Sequence, residues 1–145
     1  MKNKEYFHSY KILPDHHLIL TNYEGKVSIA QYIQSIGIVM QHPEFVSGMQ
    51  MLVDLRGCMA ISFINELSDL SSYFKKSVKL EHPVKIGILI STPNHRVLMT
   101  AFKPIVKMNN MIIETYYNFQ DAMDYLDYSM DVADEIQSHL LSIKR

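Results

Sequence analysis

The sequence predicts an α/β fold: a mixed sheet of about five strands with an N-terminal antiparallel hairpin, then β-α repeats, then an extra C-terminal helix. Three observations carry this expectation. Two β-prone runs near the start are separated only by Pro14-Asp15-His16-His17, a turn-length break. Three later apolar runs, Met49 to Leu55, Val84 to Ile90 and Met111 to Tyr116, read as strands. Between and after them, apolar residues recur at helical spacing.

The first strand alternates Tyr6, His8, Tyr10 and Ile12 with Phe7, Ser9, Lys11 and Leu13, and the second runs from Leu18 to Tyr23, ended by Gly25. Ser28 then stands as N-cap before Ile29, Tyr32, Ile33, Ile36 and Met40, one apolar stripe that Gly37 weakens without breaking. Met49 to Leu55 is almost wholly apolar, as in a parallel strand covered on both faces, with Asp54 its one charge. Ser62 precedes Phe63, Leu67, Leu70, Phe74 and Val78, a second helical stripe. Thr92-Pro93 starts a third helix with Leu98, Ala101, Phe102 and Ile105, because a proline at the first helical position lacks only an N–H that has no partner there. Pro104 is expected to kink that helix or end it early. Asn118 caps a helix carrying Phe119, Ala122, Met123 and Leu126, with Asp121 placed to complement the helix dipole. Ala133, Ile136, Leu140 and Ile143 lie opposite Asp131, Asp134, Glu135 and Lys144, so Met130 to Arg145 reads as an amphipathic helix that covers a sheet edge or packs on a partner. Residues 1–129 are thus expected to form one domain and 130–145 an added helix.

A chain of 145 residues fits a single domain that hides roughly 70% of its unfolded surface. With Lys plus Arg at 14 against 15 for Asp plus Glu, no basic block offers a footprint for nucleic acid. The single Cys58 forms no intramolecular disulfide and the start has no apolar signal-like core, so a cytoplasmic setting is expected. No apolar run approaches the roughly 20 residues of a spanning helix.

Several of these residues, in order along the chain, resemble the pattern of small bacterial STAS-like proteins. That pattern has a Gly-ended second strand, a stretch of the form "DP.F..G...L.DLR" and a closing helix of the form "F.D..EA..WL". Here the middle piece reads His42-Pro43-Glu44-Phe45-Val46-Ser47-Gly48, then Leu52, Asp54, Leu55 and Arg56, and the closing helix opens "FQDAMDYL". His42 replaces the usual Asp and Tyr125 stands for the usual Trp, and the resemblance spans residues 6–126, leaving the last helix outside it. It implies the fold of the anti-sigma-factor antagonists and of transporter STAS domains, with no shared catalytic centre. In antagonists a serine in an Asp-Ser-Ser-Gly-like turn is phosphorylated by a partner kinase. The corresponding stretch here, Met59-Ala60-Ile61-Ser62-Phe63, has neither the acidic residue nor the paired serine nor the glycine, which argues against a phosphoswitch.

The candidate site residues are Asp54, Arg56, Ser62, Thr92 and Asn118, all near the carboxyl ends of strands, where open α/β sheets place ligands. Each has a structural alternative. Ser62 is explained as an N-cap worth about 1 kcal/mol. Asp54 and Arg56 sit two apart on a strand, so they point the same way and either pair with each other or bind an anion. His16-His17 point to opposite faces, and His8, His42, His82, His95 and His139 lack ligand spacing, so turn or surface roles are expected and no metal. Cys58 has no local base to activate it and reads as a small apolar filler. Met49, Met51, Met99 and Met123 fall on core positions. With no GxSxG elbow, P-loop or GxGxxG fingerprint, neither an enzyme nor a cofactor is expected. The reading is a non-enzymatic STAS-like regulatory or protein-interaction module with an unknown protein partner, itself a homodimer through the last helix. The alternative is a small-molecule binder for an apolar or anionic ligand, with its pocket near Gly25, Arg56, Thr92 and Asn118.

Overall fold

A computed structural model describes residues 5–59, 67–77, 80–107 and 109–145. Strand β1 (Phe7–Leu13) turns through the short 3-10 segment Pro14–His16 into β2 (Leu18–Gly25). There follow α1 (Ile29–Met40), β3 (Gln50–Cys58), α2 (Leu67–Ser77), β4 (Val84–Leu89), α3 (Pro93–Lys107), β5 (Met111–Tyr116), α4 (Phe119–Tyr125) and α5 (Met130–Ile143). The five strands lie side by side in chain order, β1 antiparallel to β2 and every later pair parallel. This is the mixed sheet with an N-terminal hairpin that the residue pattern predicts.

Strands that follow one another in order send each crossover the same way round, so α1 and α3 cover one face together. There Tyr23, Val53, Ile86, Ile88 and Ile113 from the strands meet Leu98, Met99, Phe102 and Val106. The alternate side chains Leu18, Leu20, Leu52 and Leu89 point the other way and meet Ala122, Met123 and Leu126. The helix ends are closed as their sequence asks: the Ser28 hydroxyl accepts from Gln31 N while the Gln31 side chain accepts from Ser28 N, a reciprocal capping box.

Three expectations are corrected or refined. Pro104 does not end helix α3 early: the helix continues to Lys107, because that proline stands in the last turn, where it removes a single backbone hydrogen bond while Phe102 and Val106 stay buried on the sheet. Strand β3 runs to Cys58, three residues beyond Leu55. Helix α5 packs on the sheet face at its β1 edge: its Ala133, Ile136 and Leu140 are buried against Leu13, Leu18 and Leu20. Residue Ser62 and the start of its helix lie outside the described residues.

Because α5 completes the second core layer, replacing Ile136 with Ala is expected to cost about 2–5 kcal/mol by denaturant unfolding. Replacing Leu141 with Ala, 62% exposed on the opposite side of the same helix, should stay within about 0.5 kcal/mol.

Candidate functional site

The carboxyl end of the sheet is built around an irregularity between β2 and β3. Asn22 pairs with Asp54 and Glu24 with Gly57, so β3 spends one more residue than β2 over this stretch, a bulge. Gly57 permits the close approach, since a Cβ there would stand 2.9 Å from Glu24 Cγ. Gly25, at φ +78°, then turns β2 out of the sheet in a conformation few other residues adopt.

Asp54 is fully buried at this point. Its Oδ1 accepts from Arg56 N and Arg56 Nε, both at 3.0 Å, and its Oδ2 from Arg56 Nη2 at 2.9 Å and Lys144 Nζ at 2.6 Å. Burial works against the charge of this carboxyl, but the hydrogen bonds from Arg56 and Lys144 outweigh it and hold the group below its usual range. Arg56 therefore faces Asp54. A carboxylate whose oxygens are already taken by two cations and a backbone N–H is an anchor for structure, with no free lone pair directed at a substrate.

Lys144 is the partner that local sequence reasoning misses. The end of α5 is tied down at several points: Arg145 N donates to Glu24 Oε2 at 3.0 Å, the Ser9 hydroxyl donates to Ile143 O, and the Arg145 guanidinium lies 4.8 Å from the centre of the Phe7 ring. The one trace of this in the sequence is the basic pair at the end of an otherwise acidic helix face.

The neighbouring strand ends are joined by His95, which is buried and not the turn or surface residue its isolation suggests. Its Nδ1 accepts from Ser91 N at 3.3 Å, so Nε2 carries the proton and donates to Cys58 O at 3.2 Å. Burial lowers its pKa and keeps the ring neutral. Thr92 Oγ1 accepts from His95 N at 3.3 Å, as an N-cap should, and the Ser91 hydroxyl donates to Arg56 O at 3.1 Å. The Cys58 thiol is pushed up to about 12, by burial first and then by Asp54 and Glu24, so it is no nucleophile. Asn118 accepts from Gln120 N at 2.7 Å in capping α4. Of the five candidates, the structure joins Asp54 directly to Arg56, brings Thr92 beside them through Ser91 and His95, and uses Asn118 as a cap one strand further on. Among the described residues, no group of three or more His, Cys, Asp or Glu converges as metal ligands would.

Around this rim the solvent-facing side chains include apolar and cationic ones beside the neutral polar Ser91, Asn94 and Asn118. Met59, Val97 and Tyr117 are exposed, the Arg96 guanidinium lies 4.9 Å from the Tyr117 ring centre, and Arg56 is partly open. The cavity that the described residues line is not at the position expected for the pocket. A cavity of about 240 Å³ lies on the face covered by α1 and α3, and Gly25, Arg56, Thr92 and Asn118 do not line it. The strand ends at the rim are instead filled by the His95 and Asp54 networks.

The chain is similar to an anti-sigma factor antagonist from Mycobacterium paratuberculosis, with a TM-score of 0.55 at 15% identity over 86% of this chain and 96% of that one. It is equally similar to an uncharacterized protein with a SpoIIAA-like fold from Shewanella loihica, with a TM-score of 0.56 at 14% identity over 87% of this chain and 98% of that one. The fold is SpoIIAA-like. No family model and no curated protein matches the chain. Among the described residues, no helix is long and apolar enough to cross a membrane.

The Asp54 network makes stability depend on pH in a defined direction. A carboxyl whose pKa is lowered by folding contributes above the unfolded value of 3.8 and loses that contribution as pH falls through the folded value. Asp54→Asn is therefore expected to be about 2 kcal/mol less stable than the parent at pH 7 by urea unfolding. The gap should begin to shrink below about 4, where the carboxyl of the unfolded chain takes up a proton, and close as pH falls through the lower folded value.

Proposed function

We propose that this SpoIIAA-like chain is a non-enzymatic regulatory module that docks a protein partner at the carboxyl end of its sheet. The observation that carries the reading is the composition of that rim: Val97 is 66% exposed and Tyr117 49%, beside Met59, Arg56 and Arg96. Solvent-facing aromatic and arginine side chains on a well-braced surface are what protein interfaces use as anchors. The bracing is supplied by Asp54 and His95, which fix the strand ends from below. Likeness in fold to an anti-sigma factor antagonist supports a role through contact with another protein, in the cytoplasm. The sequence around Ser62 lacks an Asp-Ser-Ser-Gly-like turn, so the reading rests on docking and invokes no phosphoswitch.

A second copy of the chain is not needed for this reading. The stripe of α5 that suggested a homodimer is buried within the chain, leaving Met130 and Leu141 as its exposed apolar residues. Sedimentation equilibrium is expected to return the 16.9 kDa monomer.

The test of the docking face is affinity capture from the native cell with the parent protein and with the double variant Val97→Asp, Tyr117→Asp as baits. Both positions are open to solvent, so unfolding stability should change by no more than about 1 kcal/mol, including the lost contact of Arg96 with the ring. A partner recovered by the parent and lost by the variant is the expected result. The same set of proteins on both baits would place the docking face elsewhere.

A further inference from the structure

The cavity beneath α1 and α3 is separate from the docking rim, and its lining among the described residues is almost wholly hydrocarbon. Val53, Ile88 and Ile113 form its floor, and Ile36, Met99 and Phe102 its roof. Protein interiors ordinarily leave few voids larger than one water molecule, so about 240 Å³ is a large space to keep open in a chain of this size. Water is a poor occupant, because an ordered water needs two to four polar partners. The polar groups of the lining are few and mostly engaged: Thr21 Oγ1 lies 2.8 Å from His8 Nε2, and the Tyr23 hydroxyl 2.5 Å from Ser35 Oγ. Tyr32 adds a hydroxyl held in its protonated form, since burial and then nearby Tyr73 push it up to about 12.

We infer that this cavity is a binding site for an uncharged, chiefly hydrocarbon small molecule. No charged side chain stands among its described lining residues, so an anionic or cationic ligand would lose its hydration without gaining a counter-charge. Size limits the class further. An apolar cavity of about 150 Å³ takes one benzene ring, so this one takes about ten non-hydrogen atoms, a short alkyl chain or a small fused ring system. Entry is available beside Ser47 and Gly48, the lining residues that are exposed, where the loop before β3 leaves open space at the position a Gly48 Cβ would occupy. Methionine side chains from several elements, Met49, Met51, Met99 and Met111, border the space, and their unbranched thioethers adapt to the shape of an occupant.

Those methionines also supply the test. In the full chain carrying carbon-13 methionine methyls, titration with 1-octanol is expected to shift the Met49, Met51, Met99 and Met111 signals saturably. Met123, buried on the other face, and the exposed Met130 should stay in place. Octanoate at pH 8 should bind at least about tenfold more weakly, since its carboxylate finds no partner in the cavity. Val53→Phe and Val106→Phe each place a ring in the space, and a variant whose Met123 signal is unchanged is folded and should lose the octanol shifts. Absence of saturable shifts up to the solubility limit, shifts of equal size at Met123, undiminished binding in a folded filling variant, or octanoate binding as tightly as octanol would each overturn the assignment. If neither variant folds, the parent's shift pattern and the octanoate comparison decide.

Discussion

The buried carboxylate of Asp54 is the contact on which the carboxyl end of the sheet depends. It holds the Arg56 backbone and guanidinium across the bulge in β3, and through Lys144 it fastens the end of the last helix to that strand. The carboxyl is stable as an anion in this position because Arg56, through its side chain and backbone N–H, and Lys144 offset the cost of its burial. Sheet irregularity, strand length and the seating of α5 are thereby linked through one group. The same saturation that makes Asp54 a good anchor removes it from acid-base chemistry.

From that anchor the two faces of the molecule take different roles. On the side of α4 and α5 the layer is closed, with Ala122, Met123, Ile136 and Leu140 almost inaccessible. On the side of α1 and α3 the packing is looser, and the space left between floor and roof is bordered by β-branched, aromatic and methionine side chains. Rigidity at the rim and one closed layer keep the sheet fixed while the other layer holds a void. A surface that meets a partner and an interior that admits a ligand can then coexist in one small chain.

Much of the fold was legible before any coordinates, because the signals are local. Ser28, Thr92 and Asn118 each close a helix start, and the spacing of Leu98 and Phe102 marks the stripe that faces the sheet. The candidate site was legible in part for the same reason: Asp54 and Arg56 are two residues apart, so a shared direction follows from strand geometry alone. What could not be read depends on partners distant in the chain. The extension of β3 needs Glu24 and Gly25 opposite Gly57 and Cys58, and the burial of His95 needs the Cys58 carbonyl above it. Pro104 was overestimated as a breaker because its cost is local while the packing of α3 is not.

The sequence by itself determined the elements, their order, the hairpin followed by parallel crossovers, and the amphipathic character of the last helix. These follow from periodicity, capping and turn residues, which act within a few positions of one another. Tertiary structure alone decided where the last helix docks, that Lys144 completes the Asp54 pair, and that the open space lies under α1 and α3 instead of at the strand ends. Those outcomes depend on volumes and charges contributed by segments far apart in the chain, and no local pattern records how closely such segments pack.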